Sequence, residues 1–472
     1  MKFLLVIVAA ILSGCAVMSP DPYQQIHDTK SRYARNEAKD LETNLTNFSK
    51  LSLEECIKTG LANNPEISAV KKDIEVAAAQ VNSARSGLFP KVNATGGYTH
   101  YSDSIRLLQA GENSEPGVFA PNIGNAEIGF TYQIFSGGRV INDMAAAGLV
   151  HQATEKKLSF GREELAYNLS ALYHNIIAQK YVVKSLQFSK ESLSEQMNRI
   201  GLMLDAQKAA KVDLLRTEVK LADVEQKLIQ ESNNLTVSLQ VLATLMGVNA
   251  GDGIDTNDIE AVYPQLSTDK NEMLSRAFAK RKDYLSAKFL LESQARKVGS
   301  ARSGFLPTVT VKGAYGTRWA DAITDRPASS SLEKYPDSND ESVNVGAIGF
   351  SVDIPLFEGG LTVAKVREET MKLAAAQDRL KKLELQMRLD VATAISLIES
   401  AHARVKSSRK AVEQAKESLR VEQMKYDLGK GLLVDTLDAQ SALLQAEVNY
   451  YRAIADYNIG QAKLLFVTGE IL

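Results

Sequence analysis

The sequence predicts a mainly α-helical fold with a membrane β-barrel part, built from a duplicated unit of two β-strands and a long helical hairpin. Three observations lead there. The chain repeats itself: Ser83-Ala84-Arg85-Ser86-Gly87-Leu88-Phe89-Pro90 returns as Ser300-Ala301-Arg302-Ser303-Gly304-Phe305-Leu306-Pro307, an offset of 217 residues. Ile134-Phe135-Ser136-Gly137-Gly138 returns as Leu356-Phe357-Glu358-Gly359-Gly360, Val212-Asp213 as Val434-Asp435 and Gly247 as Gly469, at an offset of 222. Stacking repeats have periods of about 20–50 residues, so this is one duplicated architectural unit. Each copy also holds helical stretches far longer than a globular helix, and two short alternating segments.

The first copy opens with a helix over Leu53 to Ser86, whose apolar face carries Leu61, Ala69, Ile74, Ala77 and Val81 and which Pro90 stops. Lys91 to Tyr101 alternates and is rich in Val, Thr, Tyr and Gly, as a strand is. Ser102 to Gly124 reads as a loop. Asn125 to Phe135 alternates again, with Ile128, Phe130, Tyr132 and Ile134 on one face. After Gly137-Gly138 a helix runs from about Val140 to Leu204, turns near Asp205 to Ala210, and returns from Val212 to Met246. Gly247 to Thr268 is rich in Gly, Asp and Asn and connects the copies.

The second copy keeps the order: helix over Asn271 to Ser303, strand over Thr308 to Trp319, loop over Ala320 to Glu341, strand over Ser342 to Phe357. In the helix that follows, Leu380, Leu383, Met387, Val391, Ala394, Ile398, Ala401 and Val405 step by three or four. No Pro or Gly interrupts Leu361 to Leu428, which at 1.5 Å per residue is about 100 Å of helix. Such a helix needs neighbours along its whole length, so a coiled-coil-like bundle is implied. Gly429 and Gly431 break it, and Val434 to Phe466 returns.

Strands of this length match tilted transmembrane β-strands of about 9–11 residues. Four strands cannot close a barrel, and open sheet edges in hydrocarbon leave N–H and C=O groups unsatisfied at several kcal/mol each. The chains must therefore pool their strands. Three copies give twelve, within the even-numbered range of such barrels. The helical hairpins would prolong the cylinder on one side, making a conduit.

The N-terminus reads as a targeting signal: Lys2, the short apolar run Phe3 to Leu12, then Leu12-Ser13-Gly14-Cys15. That run is too short to span a bilayer as a helix. The segment resembles the lipobox of bacterial lipoproteins, which implies that Cys15 becomes the first mature residue and carries acyl chains, a covalent lipid anchor. By the same resemblance Ala16 favours sorting to the outer membrane. The expected organisation is a signal peptide over 1–14, a lipid-anchored tether over 15–50, a first repeat over 51–247, a connection over 248–270 and a second repeat over 271–472. Cys56, beside Leu53 and Ile57, reads as a buried thiol.

A net charge of −2 gives no basic surface for nucleic acid. Five His and two Cys stand at no metal-ligand spacing, and no cofactor is expected. His27, His100, His151, His174 and His402 are scattered, and there is no nucleotide-binding loop or nucleophile constellation. The chain does not read as an enzyme.

Taken together, the duplicated helix-to-strand and strand-to-helix junctions and the segment Tyr426-Asp-Leu-Gly-Lys-Gly-Leu-Leu-Val-Asp-Thr-Leu-Asp438 resemble the TolC-like outer-membrane factor family, in its lipoprotein branch. The resemblance implies a homotrimer with a twelve-stranded outer-membrane barrel and a twelve-helix periplasmic tunnel. It implies the exit duct of a tripartite efflux system, working with a periplasmic adaptor (a membrane fusion protein) and an inner-membrane pump of resistance-nodulation-division (RND) or ABC type. In that family acidic rings close the periplasmic tip, and Asp435 and Asp438 match them. Three residues apart, they share a helix face, and rings of carboxylates favour cations. Tyr426 and Asp213 match a locking pair, while Gly431 stands where the family has an arginine and Lys430 is its nearest substitute. The turn Gly429-Lys430-Gly431 is expected to dock the adaptor, and its glycine-free counterpart, Asp205 to Lys211, to dock differently. Two other readings compete: the outer-membrane component of a type I secretion system, and a lipid-anchored periplasmic coiled coil with no barrel.

Overall fold

The structure is a computed structural model that describes residues 51–106, 119–249, 255–257, 269–321 and 342–472. Cys15, the signal, the tether, both strand-connecting loops and most of the inter-repeat connection lie outside these residues.

The first repeat contains helices α1 (Leu53–Asn63) and α2 (Pro65–Arg85), strands β1 (Lys91–Arg106) and β2 (Phe119–Phe135), and helices α3 (Arg139–Asp205) and α4 (Lys211–Met246). The second contains α5 (Lys270–Lys280), α6 (Lys282–Arg302), β3 (Thr308–Asp321), β4 (Ser342–Asp353), α7 (Leu361–Asp427) and α8 (Leu433–Thr468). Corresponding helices have equal lengths: α3 and α7 are both 67 residues, α4 and α8 both 36. The glycines repeat in conformation too, Gly137 and Gly138 (φ 63° and 85°) matching Gly359 and Gly360 (φ 62° and 85°).

Several boundaries differ from the sequence expectation. The helix expected over Leu53 to Ser86 is two helices. Pro65 has no N–H to donate and takes the first position of α2, a place that tolerates proline. Asn64, buried, caps that helix by accepting from the backbone N–H of Glu66 (2.9 Å) and Ile67 (3.2 Å). The equivalent break in the second repeat falls at Arg281, whose backbone leaves the helical region (φ −58°, ψ 120°). β1 and β2 reach into the expected loop, to Arg106 and from Phe119, past a register shift between His100 and Ile105. β4 ends at Asp353 rather than Phe357, because Pro355 cannot donate to a ladder.

The chain divides into two compact units. One comprises Ala69–Phe160 and Arg281–Met387 and contains an antiparallel sheet in the order β1-β2-β3-β4. Both outer strands have an edge unpaired among the described residues. Register aligns Val92, Phe130, Gly313 and Ile348 across the sheet, then Ala94, Ile128, Tyr315 and Gly346. This face is apolar and exposed, with Ile348 at 76% and Phe350 at 78%. Aromatic rings lie over glycines of the next strand: a Cβ on Gly124 would come within 2.1 Å of Trp319, one on Gly313 within 2.4 Å of Phe130. The opposite face is polar, carrying Asn93, Thr95, Glu127, Lys312 and Arg318, with Thr95 Oγ1 donating to Glu127 (3.3 Å). Among the described residues no helix is long and apolar enough to cross a membrane.

In the same unit α6 packs on the start of α3 through small residues. Ser293 donates to the carbonyl of Ala146 (2.9 Å) and Ser286 to that of Ala153 (2.8 Å). The Gly137 turn fits against the end of α6, where a Cβ would stand 2.7 Å from the Ser303 carbonyl oxygen.

The other unit comprises the described part of Met1–Ser68 with Gly161–Lys280 and Arg388–Leu472. Its interior is aliphatic: Val182, Leu186, Leu193 and Ile200 of α3 meet Val224 of α4 and Leu433 and Leu437 of α8. Cys56 is fully buried there, and burial pushes its thiol up to about 11. Leu51 forms a parallel bridge with Thr256: its N–H donates to Asp255 O (2.8 Å) and its carbonyl accepts from Asn257 N (3.0 Å). Tyr173 donates to the same carbonyl (3.0 Å), and Lys180 holds both the Asp255 carboxylate and the Thr256 carbonyl (2.6 Å).

Candidate functional site

The turns that join α3 to α4 and α7 to α8 have one construction. In the second turn Gly429 N–H donates to Tyr426 O (2.9 Å) and Lys430 N–H to Lys425 O (2.9 Å). In the first, Gln207 N–H donates to Leu204 O (2.9 Å) and Lys208 N–H to Met203 O (2.7 Å). This pairing satisfies carbonyls at a helix end and requires a left-handed residue. Gly429 supplies it at φ 68° and Gln207 at φ 60°. The first turn thus makes the left-handed step without glycine, at Gln207. At Gly431 a Cβ would stand 2.9 Å from the Lys425 Cβ and 3.1 Å from the Tyr426 nitrogen. A side chain there would force the turn to shift, which accounts for glycine at this position.

Asp213 and Asp435 both occupy the third position of the returning helix, in the first turns of α4 and α8. A carboxylate is favoured there by the partial positive charge of a helix start. Asp435 and Asp438 lie on the exposed face of α8, opposite the buried Leu433, Thr436, Leu437 and Gln440. Asp435 has no ion-pair partner among the described residues. Asp438 has one: Lys220 of α4 lies 3.7 Å away, and its ammonium also donates to Ser441 Oγ (3.4 Å).

Tyr426 rests against the aliphatic cluster. Burial raises its pKa, with further upward contributions from the Asp213 and Asp427 carboxylates and an opposing one from Arg199. Asp213 is therefore close enough to act on Tyr426 electrostatically, although no hydrogen bond joins them among the described residues. The guanidinium beside Tyr426 is that of Arg199 on α3, 3.4 Å from Asp427 at the end of α7. Lys430 makes no ion pair among the described residues. Thr436 Oγ1 donates to Glu422 O (3.4 Å), tying the start of α8 to α7.

Sequence reasoning named Tyr426, Asp213, Asp435, Asp438 and the Gly429-Lys430-Gly431 turn. It missed Arg199, Lys220 and Asp427, which meet their partners from other helices and carry no local signal. His174 lies on α3, away from any cluster, and burial lowers its pKa to about 4. Among the described residues no group of His, Cys, Asp and Glu is arranged to hold a metal.

This geometry has counterparts. The outer membrane protein TolC of Escherichia coli (strain K12) is 22% identical over 433 residues, covering 90% of this chain and 85% of that protein. The solved outer-membrane channel OprN superposes with a TM-score of 0.74 at 20% identity, covering 89% of this chain and 90% of that one. The Campylobacter jejuni CmeC outer membrane channel gives a TM-score of 0.74 at 18% identity, covering 89% and 85%. The fold is thus shared, and residues 56–248 and 273–470, one stretch in each repeat, match the family described as outer membrane efflux protein. The chain belongs to the outer membrane efflux protein family.

Proposed function

We propose that three copies of this chain form the outer-membrane exit duct of a tripartite efflux system, passing substrates outward without chemistry of its own. The observation that carries the reading is the sheet: four antiparallel strands, both edges unpaired among the described residues, and an exposed apolar face. In hydrocarbon those edges must be paired, and pairing β4 of one copy with β1 of the next closes a twelve-stranded barrel with its apolar face to lipid. The polar face, with Lys312, Arg318 and Glu127, then lines the lumen.

In this reading the α3–α4 and α7–α8 turns form the periplasmic tip, Asp435 and Asp438 line its constriction, and Tyr426 and Asp213 hold it closed. The periplasmic adaptor docks at Gly429-Lys430-Gly431. The first turn shares the left-handed step at Gln207 but carries Ala209 where the second has Gly431, so it offers the adaptor a different surface. The pump of the inner membrane, of RND or ABC type, supplies the energy. Acyl chains on Cys15 anchor each copy to the outer membrane, since several chains anchor stably where one is marginal.

The test is reconstitution. The purified mature protein is expected to run as a heat-modifiable trimer and to give discrete conductance steps in planar bilayers. A monomer soluble without detergent, giving no steps, would overturn the reading in favour of a lipid-anchored coiled coil.

A further inference from the structure

We infer that Lys220 sets the ion selectivity of the constriction by cancelling Asp438, so that the level of Asp435 carries its fixed negative charge. The inference rests on the proposed channel reading and goes beyond it.

The two carboxylates look alike in sequence, three residues apart on one exposed face. Their surroundings differ. Lys220 reaches across from α4 to α8 within the same chain, 3.7 Å from Asp438 Oδ1 and 3.4 Å from Ser441 Oγ one turn later. It thus bridges two consecutive turns of α8 at the level of Asp438. Among the described residues nothing comparable reaches Asp435.

The repeat makes the pairing one-sided. At the 222-residue offset Lys220 corresponds to Ala442, and Asp438 to Arg216. A second copy therefore cannot supply the same pair across the seam between chains. The pair occurs once per protomer, and the first repeat carries an arginine where the second carries the aspartate. Asp438 is thus offset by Lys220 and has an arginine as its repeat equivalent, whereas Asp435 has Asp213, another carboxylate. The constriction has one acidic layer rather than two.

Both side chains are partly exposed, Lys220 at 40% and Asp438 at 68%. Pairs of this kind contribute little to stability, so the role of Lys220 is electrical. A lysine ammonium is a point charge that need not hold a fixed hydrogen bond to cancel a field. Three unit charges about 10 Å from a pore axis, roughly one Debye length at 0.1 M salt, change the local concentration of each monovalent ion about twofold, in opposite senses for cation and anion.

The experiment measures reversal potentials of the full trimer in planar bilayers under a potassium chloride gradient, with heat-modifiable trimers confirmed for every variant. Lys220→Met is expected to raise the preference for potassium over chloride, and Asp438→Asn and Asp435→Asn each to lower it. The double variant Lys220→Met with Asp438→Asn is expected to return to the wild-type value, because the pair is neutral as a unit. If Lys220→Met changes nothing and the double variant falls as far as Asp438→Asn alone, Lys220 does not compensate Asp438 and the inference is overturned while the channel reading stands. If Asp435→Asn also changes nothing, the constriction lies elsewhere and both fail together. Absence of conductance in the wild type would remove the channel itself.

Discussion

Replacing Gly359 by alanine separates what one chain satisfies by itself from what a neighbouring copy must supply. Gly137 and Gly359 are repeat equivalents with the same left-handed backbone, φ 63° and 62°. Their surroundings are not equivalent. Gly137 is buried, and a Cβ there would stand 2.7 Å from Ser303 O and 2.8 Å from the Leu306 Cβ. Gly359 is exposed, with nothing within 4 Å among the described residues, and Leu356 and Phe357 just before it are 93% and 89% exposed. At the first-repeat positions matching Ser303 and Leu306 stand Ser86 and Phe89. In a closed ring, Ser86 and Phe89 of the partner subunit would cover Gly359 as Ser303 and Leu306 cover Gly137. An L-residue in left-handed backbone costs about 1–2 kcal/mol, and forcing a methyl group into a packed site costs about 1–3 kcal/mol more. Gly137→Ala therefore loses both terms within the monomer. Gly359→Ala loses the first in the monomer and the second at each of three seams, roughly 3–9 kcal/mol per trimer. Thermal dissociation of trimers on gels, beside circular dichroism of the helices, distinguishes them. Gly359→Ala is expected to keep its helices while its trimers fall apart at lower temperature. Trimers as heat-resistant as the wild type would refute the claim that a second copy fills this space.

Three further outcomes are expected. Gln207→Gly relieves the only described non-glycine residue at positive φ, less the extra chain entropy of glycine, for a gain of about 0.5–1 kcal/mol; an unchanged or lower unfolding midpoint would mean that the Gln207 side chain contributes more than its backbone strains. His174, held neutral by burial with its pKa lowered to about 4, binds a proton in the unfolded chain first; folding stability then falls as pH drops from about 6.5 towards 4, by at most about 3 kcal/mol. His174→Gln should flatten that slope in pH-dependent denaturation, and an unaltered slope would acquit the histidine. The Cys56 thiol, buried and raised to about 11, should resist a thiol reagent at neutral pH in the native protein. In denaturant one thiol per mature chain is expected to react, whereas two would mean that Cys15 carries no lipid.

Much of the fold was legible because its signals are local. Alternation at Ile128-Phe130-Tyr132 marks a half-buried strand, Pro90 and Pro307 end helices, and the paired glycines at 137–138 and 359–360 mark the sharp return into a helix. The duplication then doubled every signal. The helix breaks at Asn64 and Arg281 were not legible in the same way. Proline at the first position of a helix is compatible with the apolar periodicity on both sides, and Arg281 has no breaker beside it. At the candidate site, Asp435 and Asp438 could be placed on one face by counting. Their difference could not, because Lys220 comes from a helix more than 200 residues away in sequence and its approach is a property of packing. The same holds for Arg199, which reaches Asp427 from α3.

The bridge at Leu51 has a mechanical meaning. Tension arriving along the chain from residue 50 meets Leu51 before it meets α1. There the main chain is fastened in shear by two backbone hydrogen bonds to residues 255–257, and Tyr173 of α3 grips the same carbonyl. Lys180 secures the strip to which Leu51 is fastened. A pull along the chain from residue 50 is thus passed to this short mooring and to α3 before it reaches α1.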